Sequence, residues 1–194
     1  MKTDHPLRSR RQFLLNTLAA CACIACDNRS AAAGATPSSP ARSGTVTIEN
    51  FSAAGASEGS VTVARVVKTE EEWRKLLSPD SYRITRQSGT ERAFTGKYDK
   101  EYGAGLYRCI CCDTALFDSK TKFDSGTGWP SFWKTISHSN TVEGPGDRFG
   151  MLGAAISCAR CDAHLGHVFS DGPKPTGLRY CMNSVALNFV PRGG

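Results

Sequence analysis

Two segments of the chain repeat one pattern. Cys109-Ile110-Cys111-Cys112-Asp113-Thr114-Ala115-Leu116 and Cys158-Ala159-Arg160-Cys161-Asp162-Ala163-His164-Leu165 both read Cys-x-x-Cys-Asp-x-x-Leu. Each can form a tight turn that aims two sulfurs at one point, and Asp suits a left-handed backbone position after the second Cys. Four thiolates complete a tetrahedral Zn²⁺ shell and leave no open position. Cys109, Cys112, Cys158 and Cys161 therefore predict a structural zinc site, with one ion per chain. Iron in the same four-sulfur cage is the minor variant. Cys111 breaks the register of the repeat and is excluded as a ligand. Two disulfides are the competing reading, open to an exported protein, yet a Cys-x-x-Cys bridge closes a very small loop and gains little stability. Forty-five residues separate Cys112 from Cys158, so the ion must clamp two distant hairpins.

Cys181 is the cysteine left over for reactivity. Arg179-Tyr180-Cys181-Met182-Asn183-Ser184-Val185-Ala186-Leu187-Asn188-Phe189 reads as one strand. A period of two puts Cys181, Asn183, Val185, Leu187 and Phe189 on one face. A lone strand Cys is most often a small buried hydrophobe. Here a neighbouring amide and Arg179 favour a thiolate, because positive charge and donors stabilise it. His164 and His167 follow the second knuckle directly, so the metal would fix where both imidazoles point. Their alternatives are a hydrogen-bonded core histidine or metal ligation, and four sulfurs already fill the metal site. Gly126-Thr127-Gly128-Trp129-Pro130 is a Gly-bracketed turn in which Trp129, restricted by the following proline, presents a rigid aromatic wall.

These groups need a scaffold. Thr69-Glu70-Glu71-Glu72 is a capping box in front of a helix expected to bury Trp73, Leu76 and Leu77. Ser78-Pro79 starts a second helix, expected to run to about Arg86. After Gly89 the texture turns to short β-rich runs at Gly105–Cys109, Ala154–Ser157, Val168–Ser170 and Arg179–Val190, punctuated by Gly, Pro and Asp. The fold expected is mainly β, a small α+β domain over residues 65–194 built on antiparallel sheet, with a short helical lead-in and a zinc clamp.

The first residues read as an address. Ser9-Arg10-Arg11-Gln12-Phe13-Leu14-Leu15 places twin arginines before an apolar run to about Ala25, the pattern of a twin-arginine export signal over residues 1–35. Leu18-Ala19-Ala20-Cys21 offers a lipoprotein site and Ala33-Gly34-Ala35 a conventional one. The second uses the whole apolar run and is preferred. An exported, periplasmic protein follows, touching membrane only through lipidation at Cys21. Residues 36–64, rich in Ser, Gly and Ala, read as a flexible linker. Half of the formal +6 charge lies in the first 35 residues, which argues against nucleic acid as a partner.

The motifs of the folded part together resemble the methionine-R-sulfoxide reductase B family over roughly residues 65–191. They are Phe94-Thr95-Gly96, the first knuckle, Lys122-Phe123-Asp124-Ser125-Gly126, Gly128-Trp129-Pro130-Ser131-Phe132, Cys161 to Phe169, and Gly177 to Asn183. The resemblance implies two small antiparallel sheets, a structural four-cysteine zinc, and reduction of the R epimer of methionine sulfoxide, free or in oxidised proteins. It further implies Cys181 as nucleophile, with Arg179, His164, His167, Asn183, Trp129 and Phe169 around the substrate and a thioredoxin-like or other thiol as reductant.

In that reaction the sulfoxide oxygen must gain a proton, and histidine holds one near neutrality. His167 is the favoured acid, His164 its helper and Asn183 an orienting group. Trp129 would receive the S-methyl and exclude the other epimer by shape. Many relatives carry a second Cys between the glycines before Trp-Pro, where this chain has Thr127, so the expected reductant of the oxidised Cys181 is an external thiol. A zinc-knuckle binding module would need a Lys/Arg cluster at the knuckles, and a general thiol-disulfide oxidoreductase a free Cys-x-x-Cys. Neither is present.

Overall fold

Thr69 and Ser78 start the two helices as their side chains dictate. The computed structural model describes residues 44–192; the signal at residues 1–35, with Cys21, Cys23 and Cys26, lies outside them. In α1 (Glu70–Leu76) the Thr69 hydroxyl accepts from the Glu72 N–H while the Glu72 carboxylate accepts from the Thr69 N–H, the complete capping box. Ser78 caps α2 (Pro79–Gln87), with Pro79 in the first turn. Trp73 is buried, but Leu76 is 61% exposed. In so short a helix Leu77, four residues on, shares the side of Trp73, and Leu76 turns to solvent.

Residues 45–64, expected as part of a flexible linker, instead form an antiparallel hairpin of β1 (Thr45–Phe51) and β2 (Ser57–Ala64). Ile48 and Phe51 of β1 are buried, and Phe51 packs with Leu106 and Ala115. The Asn140 amide holds Glu49 at both its N–H and its carbonyl. The alternation Val46, Ile48 against Thr47, Glu49 was present in a stretch whose Ser and Gly content masked it.

The remaining strands are β3 (Gly105–Cys109), β4 (Ala115–Asp118), β5 (Lys122–Phe123), β6 (Ser131–Phe132), β7 (Thr141–Asp147), β8 (Gly153–Cys158), β9 (His164–Phe169), β10 (Arg179–Met182) and β11 (Leu187–Pro191). They build a six-stranded sheet in the order β5-β6-β10-β9-β8-β7 and a three-stranded sheet β11-β3-β4. With the hairpin there are three antiparallel sheets among the described residues, where two were expected. The run Arg179–Val190 is not one strand. A 3₁₀ turn at Ser184–Ala186 breaks it and sends β11 into a different sheet from β10. The buried Glu91 carboxylate accepts the Ser184 and Val185 N–H groups that a continued strand would have offered to a neighbour.

The core lies between the two larger sheets. Phe117 stacks on Phe132 at 4.4 Å, and Tyr107 meets Phe132 and Phe189, each at 4.9 Å between ring centroids. Such pairs contribute about 0.5–1.5 kcal/mol each beyond simple burial. Phe132 is fully buried there, directly after Ser131, which lies beside Cys181 on the neighbouring strand.

Candidate active site and metal centre

The two knuckles fold alike, and for the anticipated reason. Asp113 (φ 60°) and Asp162 (φ 55°) occupy the left-handed region. Asp113 N–H donates to the Cys109 carbonyl and Asp162 N–H to that of Cys158, at 2.9 and 3.0 Å. The sulfurs of Cys109, Cys112, Cys158 and Cys161 all lie within 4.8 Å of one another, with Cys109–Cys161 at 3.6 Å and Cys112–Cys158 at 3.5 Å. Zinc–sulfur bonds of about 2.3 Å imply sulfur–sulfur edges of about 3.8 Å in a tetrahedron. A disulfide would require about 2.05 Å. The donor set therefore fits one dication. The four thiols interact strongly with one another: their mutual hydrogen bonds push Cys109 and Cys161 up and Cys112 down. Cys111 is not one of the four. Its thiol borders Cys109 and Cys161 on one side and Thr85 and Arg86 of α2 on the other.

Cys181 sits in the middle of the six-stranded sheet. Its register partners are His167 on β9 and Ser131 on β6, so the three side chains share one face in one row. Thr127 Oγ1 is 3.9 Å from the Cys181 sulfur. Ser125 Oγ is 2.8 Å from both Thr127 Oγ1 and Ser131 Oγ, so a hydroxyl chain borders the thiol. Burial raises the Cys181 thiol above its ordinary value, outweighing the Arg179 charge and the Thr127 and Ser131 hydroxyls that pull it down. The anticipated pull toward a thiolate is real, and desolvation is larger.

Arg179 opens β10 opposite Phe169. Its guanidinium lies 4.2 Å from the Phe169 ring and forms a bidentate pair with Asp171 at 2.9 and 2.8 Å. These hydrogen bonds hold the Asp171 carboxyl below its usual range. His164 and His167 meet edge to face, with centroids 5.1 Å apart. His164 is buried and its Nε2 has no partner. Burial and then the neighbouring His167 lower it to about 4, so it is neutral at pH 7. Half-buried His167 is lowered by burial.

Asn183 directly follows β10, which ends at Met182, and its backbone is still extended. Its amide donates to the Leu165 carbonyl at 3.0 Å and accepts from the Glu91 N–H at 2.9 Å. It fastens β9 to the Glu91 loop. That loop in turn holds Trp129, whose indole N–H donates to the Glu91 carbonyl at 3.2 Å. Trp129 follows Gly128 (φ 85°), which lies so close to Phe94 that a Cβ would sit 2.6 Å from the Phe94 nitrogen. Phe94 itself has φ 64° and is 67% exposed. The sequence reading thus missed Asp171 and Glu91 as parts of this region and had Phe94 only as part of a motif. Asp171 had a signal, since a buried Arg179 needs a counter-ion.

The family model for the SelR domain matches residues 77–191. "Peptide methionine sulfoxide reductase MsrB" of Pseudomonas putida (strain W619) is 59% identical over 130 residues, 67% of this chain and 98% of that protein. The protein of the same name from Pseudomonas syringae pv. syringae (strain B728a) is 57% identical over 128 residues, 66% of this chain and 98% of its own. That from Pseudomonas entomophila (strain L48) is 56% identical over the same shares. The duplicated knuckle, the half-buried cysteine beside paired histidines and these matches agree: the chain belongs to the SelR-domain family of methionine sulfoxide reductases.

Proposed function

We propose that this methionine sulfoxide reductase acts on the R epimer through Cys181, and that the thiol is regenerated by an external reductant. The observation that carries the reading is the row Ser131–Cys181–His167, with Arg179 and Phe169 at its end and Trp129 fixed nearby. The Cys181 sulfur attacks the sulfoxide sulfur while His167 delivers a proton to the sulfoxide oxygen. The oxygen passes to Cys181, the substrate gains two electrons and leaves as methionine, and Cys181 becomes a sulfenic acid. Arg179, oriented by Asp171, favours the thiolate during attack. His164 packs against His167 and keeps it in place. Trp129 supplies the face that sorts the epimers.

No thiol accompanies Cys181 where relatives carry one, because Thr127 occupies that position, and Cys111 lies at the knuckle against α2. A thioredoxin-like or small external thiol therefore attacks the sulfenic acid, releasing water, and a second thiol frees Cys181. The metal of the knuckles is zinc. Cys109, Cys112, Cys158 and Cys161 would hold it, and it would supply no chemistry to the substrate but would tie down the knuckle that leads into β9, where both histidines sit. The protein is exported by its twin-arginine signal and works on oxidised methionine in the periplasm. Replacing Arg10 and Arg11 with lysine should trap precursor inside.

The function is tested by dithiothreitol-dependent reduction of a dabsyl-labelled methionine R-sulfoxide. Wild-type protein should consume the R epimer and leave the S epimer. Cys181→Ser should fall to background while keeping its zinc and its fold. A Ser variant with substantial turnover would remove Cys181 from the role.

A further inference from the structure

Phe149, Met151 and Leu152 are the most exposed large hydrophobic side chains among the described residues, at 87%, 99% and 82%. They occupy three of four consecutive positions at the tip joining β7 to β8. Scattered exposed hydrophobics need no explanation, whereas a contiguous group marks a contact surface.

This tip is well formed. Phe149 N–H donates to the Asp147 carboxylate at 2.9 Å, Gly150 N–H to the Asp147 carbonyl at 2.9 Å, and Gly153 N–H to the Gly150 carbonyl at 3.2 Å. The Arg148 carbonyl accepts from the Ser170 backbone and hydroxyl, and its guanidinium pairs with Glu143. A hydrogen-bonded turn therefore displays three unsupported apolar side chains.

Its position says what covers them. Gly153 lies in one sheet row with Phe169 and Arg179, at the end of the sheet where β8 begins, β9 ends and β10 begins. A Cβ on Gly153 would lie 2.9 Å from the Phe169 ring, so the root of the tip packs directly on a wall of the proposed substrate site. Strand spacing puts Ala155 about 10 Å from Cys181 across β9, and Leu152 about 10 Å further along β8. An extended chain covers the resulting diagonal in about four residues. A second copy adding to the neighbouring edge is disfavoured, because β7 carries Pro145 and a bulge between Glu143 and Gly146.

We infer that the Phe149–Leu152 tip is a docking surface for the polypeptide that carries the oxidised methionine, engaging an apolar residue about four positions from the sulfoxide. The inference rests on Cys181 as the reducing centre and deepens that reading: among oxidised segments, those with an apolar residue about four positions from the sulfoxide are preferred. Methionine is mostly a core residue, so the segments in which it becomes oxidised carry apolar neighbours.

The test compares wild-type enzyme with the triple variant F149S/M151S/L152S, whose substitutions lie on the surface and leave the fold intact. Three substrates are used: N-acetyl-methionine-R-sulfoxide amide, a peptide with leucine four residues from the R-sulfoxide, and the same peptide with serine there. The wild type should prefer the leucine peptide over the serine peptide about tenfold in kcat/KM, the effect of one good apolar anchor. In the variant that preference should vanish while the small substrate is turned over within about twofold of wild type. Equal losses on all three substrates, or no loss on any, would overturn the inference. So would an unchanged peptide preference accompanied by loss of wild-type dimerisation or of binding to phosphatidylglycerol vesicles. Absence of wild-type turnover on the small R-sulfoxide would count against Cys181 chemistry, and not against the tip.

Discussion

Cys181 and His167 stand opposite each other on adjacent strands, and burial moves their proton affinities apart: the thiol rises and the imidazole falls. The reacting pair, thiolate plus imidazolium, holds the same single proton as the resting thiol plus neutral imidazole. In the proposed reaction the enzyme needs no free thiolate at rest, because the proton lost from Cys181 is the one His167 would pass to the sulfoxide oxygen.

A pH profile follows from those signs. His167 titrates below its ordinary 6.5, and Cys181 above its ordinary 9.0. Below the first value both groups are protonated and attack fails. Above the second both are empty and the oxygen finds no proton. Single-turnover kcat/KM should be flat between these limits, with an acid limb under pH 6.5 and an alkaline limb over pH 9. An alkaline limb near about pH 8 would show that the Arg179 charge, and not burial, governs the thiol.

Asp171 clamps the guanidinium that faces Cys181, yet its own side chain is 62% exposed. Asp171→Asn should therefore cost at most about 1 kcal/mol of stability, while kcat/KM falls about tenfold and the alkaline limb moves up by about one pH unit. Urea unfolding and the pH profile check the two halves. A stability loss with an unmoved alkaline limb would give Asp171 a purely structural place.

Metal and fold should be lost together at the knuckles. Structural zinc contributes about 10–16 kcal/mol of binding free energy, against a total stability of about 5–15 kcal/mol for an ordinary domain. Cys158→Ser should release the ion and unfold the chain at room temperature, read by metal analysis and circular dichroism. A folded variant without metal would contradict a structural role.

Much of this was legible in the sequence, for reasons that differ by residue. The knuckles were readable because both ligand pairs and their left-handed Asp residues are local features. The helix starts were readable because Thr69 and Ser78 act within their own first turns. Strand β3 came out at Gly105–Cys109 as expected. The break after Met182 was not readable, because it depends on Glu91, distant in the chain, accepting two backbone N–H groups. The β1–β2 hairpin stayed hidden because its docking partners Asn140 and Arg108 lie far along the chain.

Thr127 offers a gain of function. Its hydroxyl sits 3.9 Å from the Cys181 sulfur, so Thr127→Cys places a second thiol within reach after a small side-chain adjustment. Oxidative turnover of that variant should end in a disulfide between the introduced thiol and Cys181, seen as a loss of two free thiols in a thiol titration. Retention of both thiols would mean that the Gly-bracketed turn cannot bring the two sulfurs together.

The central claim is that Cys181 takes the sulfoxide oxygen and waits for a thiol from outside. The direct measurement is mass spectrometry after one turnover without reductant, with dimedone present. The account predicts one methionine released per enzyme and a dimedone adduct on Cys181 in most molecules. A Cys111–Cys181 disulfide in most molecules would contradict it and make Cys111 the resolving residue.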